Sequence, residues 1–144
     1  MDKILPIASD HAGFELKESF KPYLESKGYL VKDMGCFSTE SVDYPDFIHP
    51  IAKSINDGEY PFGIIICGTG NGVSMVANKY QSIRCALCWK PEISALAKQH
   101  NNANIIALPA RFISLDEAKE IIDSYLSAEF EGGRHQRRID KIHI

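Results

Sequence analysis

Nowhere do these 144 residues hold an apolar run approaching the roughly 20 residues that a membrane-spanning helix requires. The amino terminus has no basic region followed by an apolar stretch, so no secretory leader is expected. Cysteine is sparse: Cys36, Cys67, Cys85 and Cys88 make four, too few for a disulfide-stapled scaffold, and the expectation is reduced thiols in a cytoplasmic protein. No surplus of positive charge exists for nucleic acid or an anionic membrane, since 16 Lys and Arg face 19 Asp and Glu for a formal net charge of -3. Internal repeats and low-complexity stretches are missing too. What remains is an ordinary globular composition, 44% hydrophobic and 24% charged, in a length that buries one core.

Short apolar runs alternate with helical patterns. Residues 4–8 read as a strand, and 13–27 as a helix with Leu16, Phe20, Tyr23 and Leu24 on one face, stopped by Gly28. A strand over 29–34 is followed by a loop to Pro45 and a short helix over 47–55. Residues 62–67 are the clearest strand, three isoleucines without a polar break, the pattern of a parallel strand covered on both faces. Helices are expected over 73–79, 91–99 and from Ser114 or Asp116 to about 128, with strands over 83–87 and 104–108 between them. A basic tail over 131–144, broken at Gly132-Gly133, is expected to leave the body. This order predicts one α/β domain over 1–144 with a parallel sheet and helices on both faces. Ligands of such sheets bind at the carboxyl ends of the strands, which singles out Ser9-Asp10-His11, Cys67 to Gly72, and Pro109-Ala110-Arg111.

Cys67-Gly68-Thr69-Gly70-Asn71-Gly72 ends a strand and opens a helix. Three alternate glycines let backbone N–H groups converge on an anion. A phosphate-binding P-loop would end in Gly-Lys-Ser/Thr, and Gly72-Val73-Ser74 does not. A dinucleotide loop would place a third glycine at Val73 and an acid some way beyond, yet no Asp occurs between Asp57 and Asp116. Cys67, at a strand end facing a helix start, is the thiol best placed to attack a carbonyl or remove a carbon-bound proton; the competing reading is a buried core cysteine. Cys85 and Cys88 have redox or metal spacing by letter, but no second paired motif accompanies them and no metal is expected. Asp10 and His11 fit acid–base work or anion binding, or Asp10 simply caps a helix. His100, Asn101 and Asn102 fit a turn. Arg134 and Arg138 share a face if helical, as two guanidinium groups gripping a phosphate would, and Arg111 could join them; a solvated tail is the alternative.

The stretches Ser9-Asp10-His11-Ala12-Gly13, Asp43-Tyr44-Pro45, Cys67 to Gly72, Ala77-Asn78-Lys79, His100-Asn101 and Glu131-Gly132-Gly133-Arg134-His135 span nearly the whole chain in order. In them the sequence resembles the B-type ribose-5-phosphate isomerases, a family that includes galactose-6-phosphate isomerase subunits. The resemblance implies a Rossmann-like three-layer αβα sandwich with a five-stranded parallel sheet. It also implies a homodimer, or a tetramer built of such dimers, with active sites at the subunit interface and no cofactor. Cys67 would be the base that moves a proton between C1 and C2. Members lacking this cysteine use a glutamate where Val73 stands, so the chain looks like the cysteine type. Asp10 and His100 would assist ring opening, and Thr69 would move a proton between the substrate oxygens. The backbone of Gly68, Gly70, Asn71 and Gly72 would hold the enediolate. His11, Arg111, Arg134 and Arg138 would bind phosphate, some from the partner, while Tyr44 and Asn101 line the sugar site. A six-carbon sugar phosphate such as allose or galactose 6-phosphate is an alternative substrate, and a non-catalytic sugar-phosphate binding module an alternative class.

Overall fold

The computed structural model describes residues 3–144. Five strands, β1 (Lys3–Ser9), β2 (Tyr29–Asp33), β3 (Gly63–Cys67), β4 (Cys85–Leu87) and β5 (Ile105–Pro109), alternate with helices α1 (Phe14–Ser26), α2 (Tyr44–Asn56), α3 (Asn71–Ala77), α4 (Pro91–Asn101) and α5 (Leu115–Ser127), and α6 (Arg134–Asp140) follows. All strands pair in parallel, in the order β2-β1-β3-β5-β4. Every residue of β3 and β5 is buried, which is why neither strand alternates with polar residues. Pleating still divides their side chains. Ile64 and Ile66 join Phe20, Leu24, Ile121 and Ile122 under α1 and α5, whereas Ile65 and Cys67 join Ile48, Ile51 and Val73 under α2 and α3. Ile64, Ile65 and Ile66 are fully buried, and each contributes on the order of 2 kcal/mol by leaving water. The result is the expected three-layer αβα sandwich.

The topology locates the site. From β1 the chain crosses to β2 on one side, while β3 pairs on the other, so a crevice opens at the carboxyl ends of β1 and β3. Ser9 pairs with Ile66 and Cys67 with Pro109, so the loops after β1, β3 and β5 begin at one level.

Several boundaries depart from the sequence reading. Helix α2 starts at Tyr44, with Pro45 in its first turn, where a missing N–H costs nothing. Helix α3 starts at Asn71 because Gly70, at φ +76°, turns the chain in a left-handed conformation a residue after Thr69. Strand β4 begins only at Cys85, since the Arg84 and Cys85 amides donate to the side chains of Asn104 and Asn78. Of the two suggested caps for α5, Ser114 serves, in a reciprocal capping box with Glu117. The expected departing basic tail is a correction: residues 134–140 form α6, which buries His135 and Ile139 against α4. An i,i+4 pair of buried side chains anchors it there, a pattern the surrounding basic residues obscure. No helix among the described residues is long and apolar enough to cross a membrane.

Candidate active site

The three loops meet in a cleft of about 420 Å³ lined by Asp10, His11, Tyr44, Cys67, Gly68, Thr69, Gly72 and Arg111, with Ala12 and Met75 completing the wall. Cys67, the last residue of β3, is 6% exposed. The Gly70 N–H donates to its Sγ across 3.1 Å, so the sulfur is an acceptor, the arrangement an anionic nucleophile or base needs. Cys67 packs in the α2–α3 core, as the reading of a buried core cysteine has it, while its sulfur meets the loop at the Gly70 amide. The Asn71 N–H donates to Thr69 Oγ1 at 3.2 Å, which leaves the hydroxyl proton free for another acceptor. In the first turn of α3 the Gly72 amide has no intrahelical partner.

Asp10 is buried, and its Oδ1 takes the Gly13 N–H at 3.0 Å. This bond holds the turn that leads into α1, whose N-cap is Gly13 without a side-chain cap, so Asp10 is not the cap itself, and Asp10 lines the cleft. His11 Nδ1 accepts the Val42 N–H at 3.1 Å, so the ring proton belongs on Nε2. The Arg111 guanidinium lies against Gly68, 3.0 Å from where a β-carbon would sit, and its own amide donates to the Gly68 carbonyl. The Tyr44 ring covers Gly72 so closely that a β-carbon there would stand 2.7 Å from Cζ.

The other named residues do not line this cleft. Helix α4 runs from the carboxyl end of β4 to the amino end of β5, so its last turn, with His100 and Asn101, lies at the opposite end of the sheet. Arg134 and Arg138, one turn apart and exposed on α6, stand beside it. There the His100 and His135 rings stack with centroids 4.2 Å apart and planes 10° from parallel. Both Nε2 atoms approach Glu131 Oε1, at 3.7 Å and 3.4 Å. Burial, reinforced by His100 and Arg134, holds the His135 imidazolium below the ordinary histidine range. These three residues offer metal-type ligands within 4.8 Å of one another, but parallel rings do not aim two nitrogen lone pairs at a single ion.

Cys85 and Cys88 lie on opposite faces of the sheet, in the α2–α3 and the α1–α5 cores. Burial pushes their thiols up to about 12 and about 11, which suits neither metal binding nor redox exchange. The sequence reading passed over the ion pair of the buried Lys17 with Asp33. It also passed over the contact of Glu131 and His135 with His100. The Glu131-Gly132-Gly133-Arg134-His135 stretch marked that contact without revealing its geometry.

A thiol under a glycine turn, a carboxylate, a hydroxyl with a free proton and a guanidinium, gathered at the switch point of an open parallel sheet, define a small-molecule enzyme cleft of the α/β class. Residues 5–142 match the Ribose/Galactose Isomerase family. Ribose-5-phosphate isomerase B of Escherichia coli is 41% identical over 140 residues, covering 97% of this chain and 94% of that protein. The crystal structure of a ribose 5-phosphate isomerase from Thermotoga maritima is 52% identical, covers 99% of both chains and superposes with a TM-score of 0.95. Ribose-5-phosphate isomerase B from Mycoplasma genitalium, solved with bound ribulose 5-phosphate, is 45% identical over 96% of this chain and 93% of its own, with a TM-score of 0.92. The chain belongs to the ribose/galactose isomerase family.

Proposed function

We propose that the chain interconverts ribose 5-phosphate and ribulose 5-phosphate, acting in the cytoplasm as a homodimer. The observation that carries this reading is Cys67 Sγ, held by the Gly70 amide in the floor of a cleft that also contains Asp10, Thr69 and Arg111. Isomerising an aldose takes a base near C2, donors for the developing oxyanion and an anchor for the phosphate. After ring opening, the Cys67 thiolate removes the C2 proton. The C–H electron pair forms the C1–C2 double bond, and the carbonyl electrons move onto O1. Thr69, with its hydroxyl proton free, passes a proton between O2 and O1, and the loop amides hold the enediolate. Cys67 then returns its proton to C1, and the O2 electrons close the ketone. Arg111 and His11 Nε2–H hold the phosphate.

The separation of His100, Asn101, Arg134 and Arg138 from their own chain's cleft supports a two-chain site. Exposed guanidinium groups one turn apart suit a phosphate dianion bound by a partner's cleft, and His100 would there assist ring opening with Asp10. The test is an isomerase assay of the purified chain on ribose 5-phosphate and on allose and galactose 6-phosphates, without added metal or nucleotide. The five-carbon substrate is expected to show the highest kcat/KM. Binding of ribose 5-phosphate without conversion would contradict the reading in favour of a binding module, and preference for a six-carbon substrate would reassign it.

A further inference from the structure

Among the described residues Lys17, in the first turn of α1, is one of the largest side chains with no exposure at all. A lysine is rarely buried this completely without a specific partner. Its Nζ donates to both Asp33 oxygens, at 2.6 and 2.7 Å, and to the Cys36 carbonyl at 2.7 Å, which accounts for its three protons. The rings of Phe14 and Phe37 lie 5.3 Å from the same nitrogen. Asp33 Oδ1 also takes the Gly35 amide at 2.9 Å. The Cys36 amide donates to the Ser9 carbonyl, and the Ser9 amide to the Gly35 carbonyl. One ammonium group thus ties the first turn of α1 to residues 33–36, whose backbone pairs with the end of β1 immediately before Asp10 and His11.

The segment so clamped runs on over the surface to Val42, whose amide holds His11 Nδ1, and then into α2, which begins at Tyr44. Residues 37–41 are exposed, and the buried group this stretch meets between Cys36 and Val42 is the same ammonium, beside the Phe37 ring. We infer that Lys17, which touches no part of the cleft, is a positioning residue for His11: it anchors the segment whose Val42 N–H orients the His11 ring and keeps its proton on Nε2, toward the substrate phosphate. This deepens the proposed isomerase reading and rests on it. A lysine with only a packing role would need Asp33 but not the Cys36 carbonyl at the root of the Val42 segment.

The experiment is a double-mutant cycle between Lys17→Met and His11→Ala, with kcat and KM for ribose 5-phosphate measured on folded protein. Losing the one hydrogen bond that orients His11 should raise KM roughly 3- to 10-fold with little change in kcat. The same Lys17→Met change should move KM less than about 2-fold in the His11→Ala background, because the group it acts through is gone. Equal factors in both backgrounds, or an unchanged KM in the single variant, would overturn the inference while leaving the isomerase reading intact. If Lys17→Met does not fold, Lys17→Met/Asp33→Asn removes the unbalanced carboxylate and serves in the same cycle. Imidazole nitrogen NMR of the unaltered protein, with His11→Ala for assignment, is an arm independent of activity. A His11 proton on Nε2 is expected, and a proton on Nδ1 would refute the mechanism.

Discussion

Gly72→Ala sets two known magnitudes against each other. Gly72 lies in the first turn of α3, where alanine is favoured by roughly 0.5–1 kcal/mol over glycine. The added β-carbon would stand 2.7 Å from Tyr44 Cζ, well inside the optimum carbon contact of about 3.5 Å. The ring must therefore retreat by roughly 0.8 Å, the difference between those two distances. Overpacking of this kind costs about 1–3 kcal/mol in a closed core, but the Tyr44 side is 38% exposed and the ring can yield toward solvent. The two effects nearly cancel, and Tm should shift by less than about 4 °C. Function should not escape, because the ring forms the cleft wall beside Cys67 and a displacement near 1 Å costs up to about 100-fold in rate. Steady-state kinetics should show kcat/KM lower by about 10-fold, mostly through KM. In a Tyr44→Ala background the same substitution should cost nothing further. Normal KM with an intact fold would refute the place given to Tyr44. A large loss of Tm would show instead that its ring is pinned.

Two further outcomes follow from the same geometry. Mixing Arg134→Ala protein with Cys67→Ala protein should restore activity on subunit exchange, since a mixed dimer then holds one site with both defects and one with neither; no recovery after proven exchange would refute the pairing of Arg134 with a partner's Cys67 cleft. Burial works to raise the Asp33 carboxyl, but Lys17, Lys21 and the Gly35 amide outweigh it and hold the group below its ordinary value of 3.8. The stability this contributes is present above pH 3.8 and is lost as pH falls through the still lower folded value. Asp33→Asn should accordingly lower Tm near neutral pH and flatten its fall between about pH 5 and about pH 2, and a parallel fall in both proteins would contradict the assignment.

Much of the cleft is legible in sequence because its residues sit where strands end. The unbroken isoleucines of β3 identify a central strand, and Cys67 to Gly72 then has to lie at its carboxyl edge. Asp10, His11 and Arg111 follow by the same logic from β1 and β5. The position of Tyr44 is less legible, since Pro45 reads equally as a loop residue or as the first turn of a helix. His100 follows from the same topology: in a parallel sheet the helix between two strands returns to their amino ends, so the last turn of α4 lies away from the cleft wherever β4 sits. Arg134 and Arg138 cannot be placed from spacing, because their position depends on α6 packing against α4. Helix α6 is hidden for a different reason: its contacts with the body rest on His135 and Ile139, two side chains within a run of charge. Lys17 is hidden because a lysine on an amphipathic helix is ordinarily solvated, and only the tertiary structure brings Asp33 and the Cys36 carbonyl to it.

The central claim is that Cys67 moves the proton, and it is tested most directly by turnover of ribose 5-phosphate in deuterated water by the unaltered protein and by Cys67→Ala. With circular dichroism and Tm showing an intact fold, the alanine variant should lose about 10²–10⁴ in kcat, as removal of a positioned base does. Exchange of the C2 proton with solvent should fall in parallel, since both need the same sulfur. Near-normal turnover, or exchange that persists without Cys67, would assign the base to another group and contradict the account.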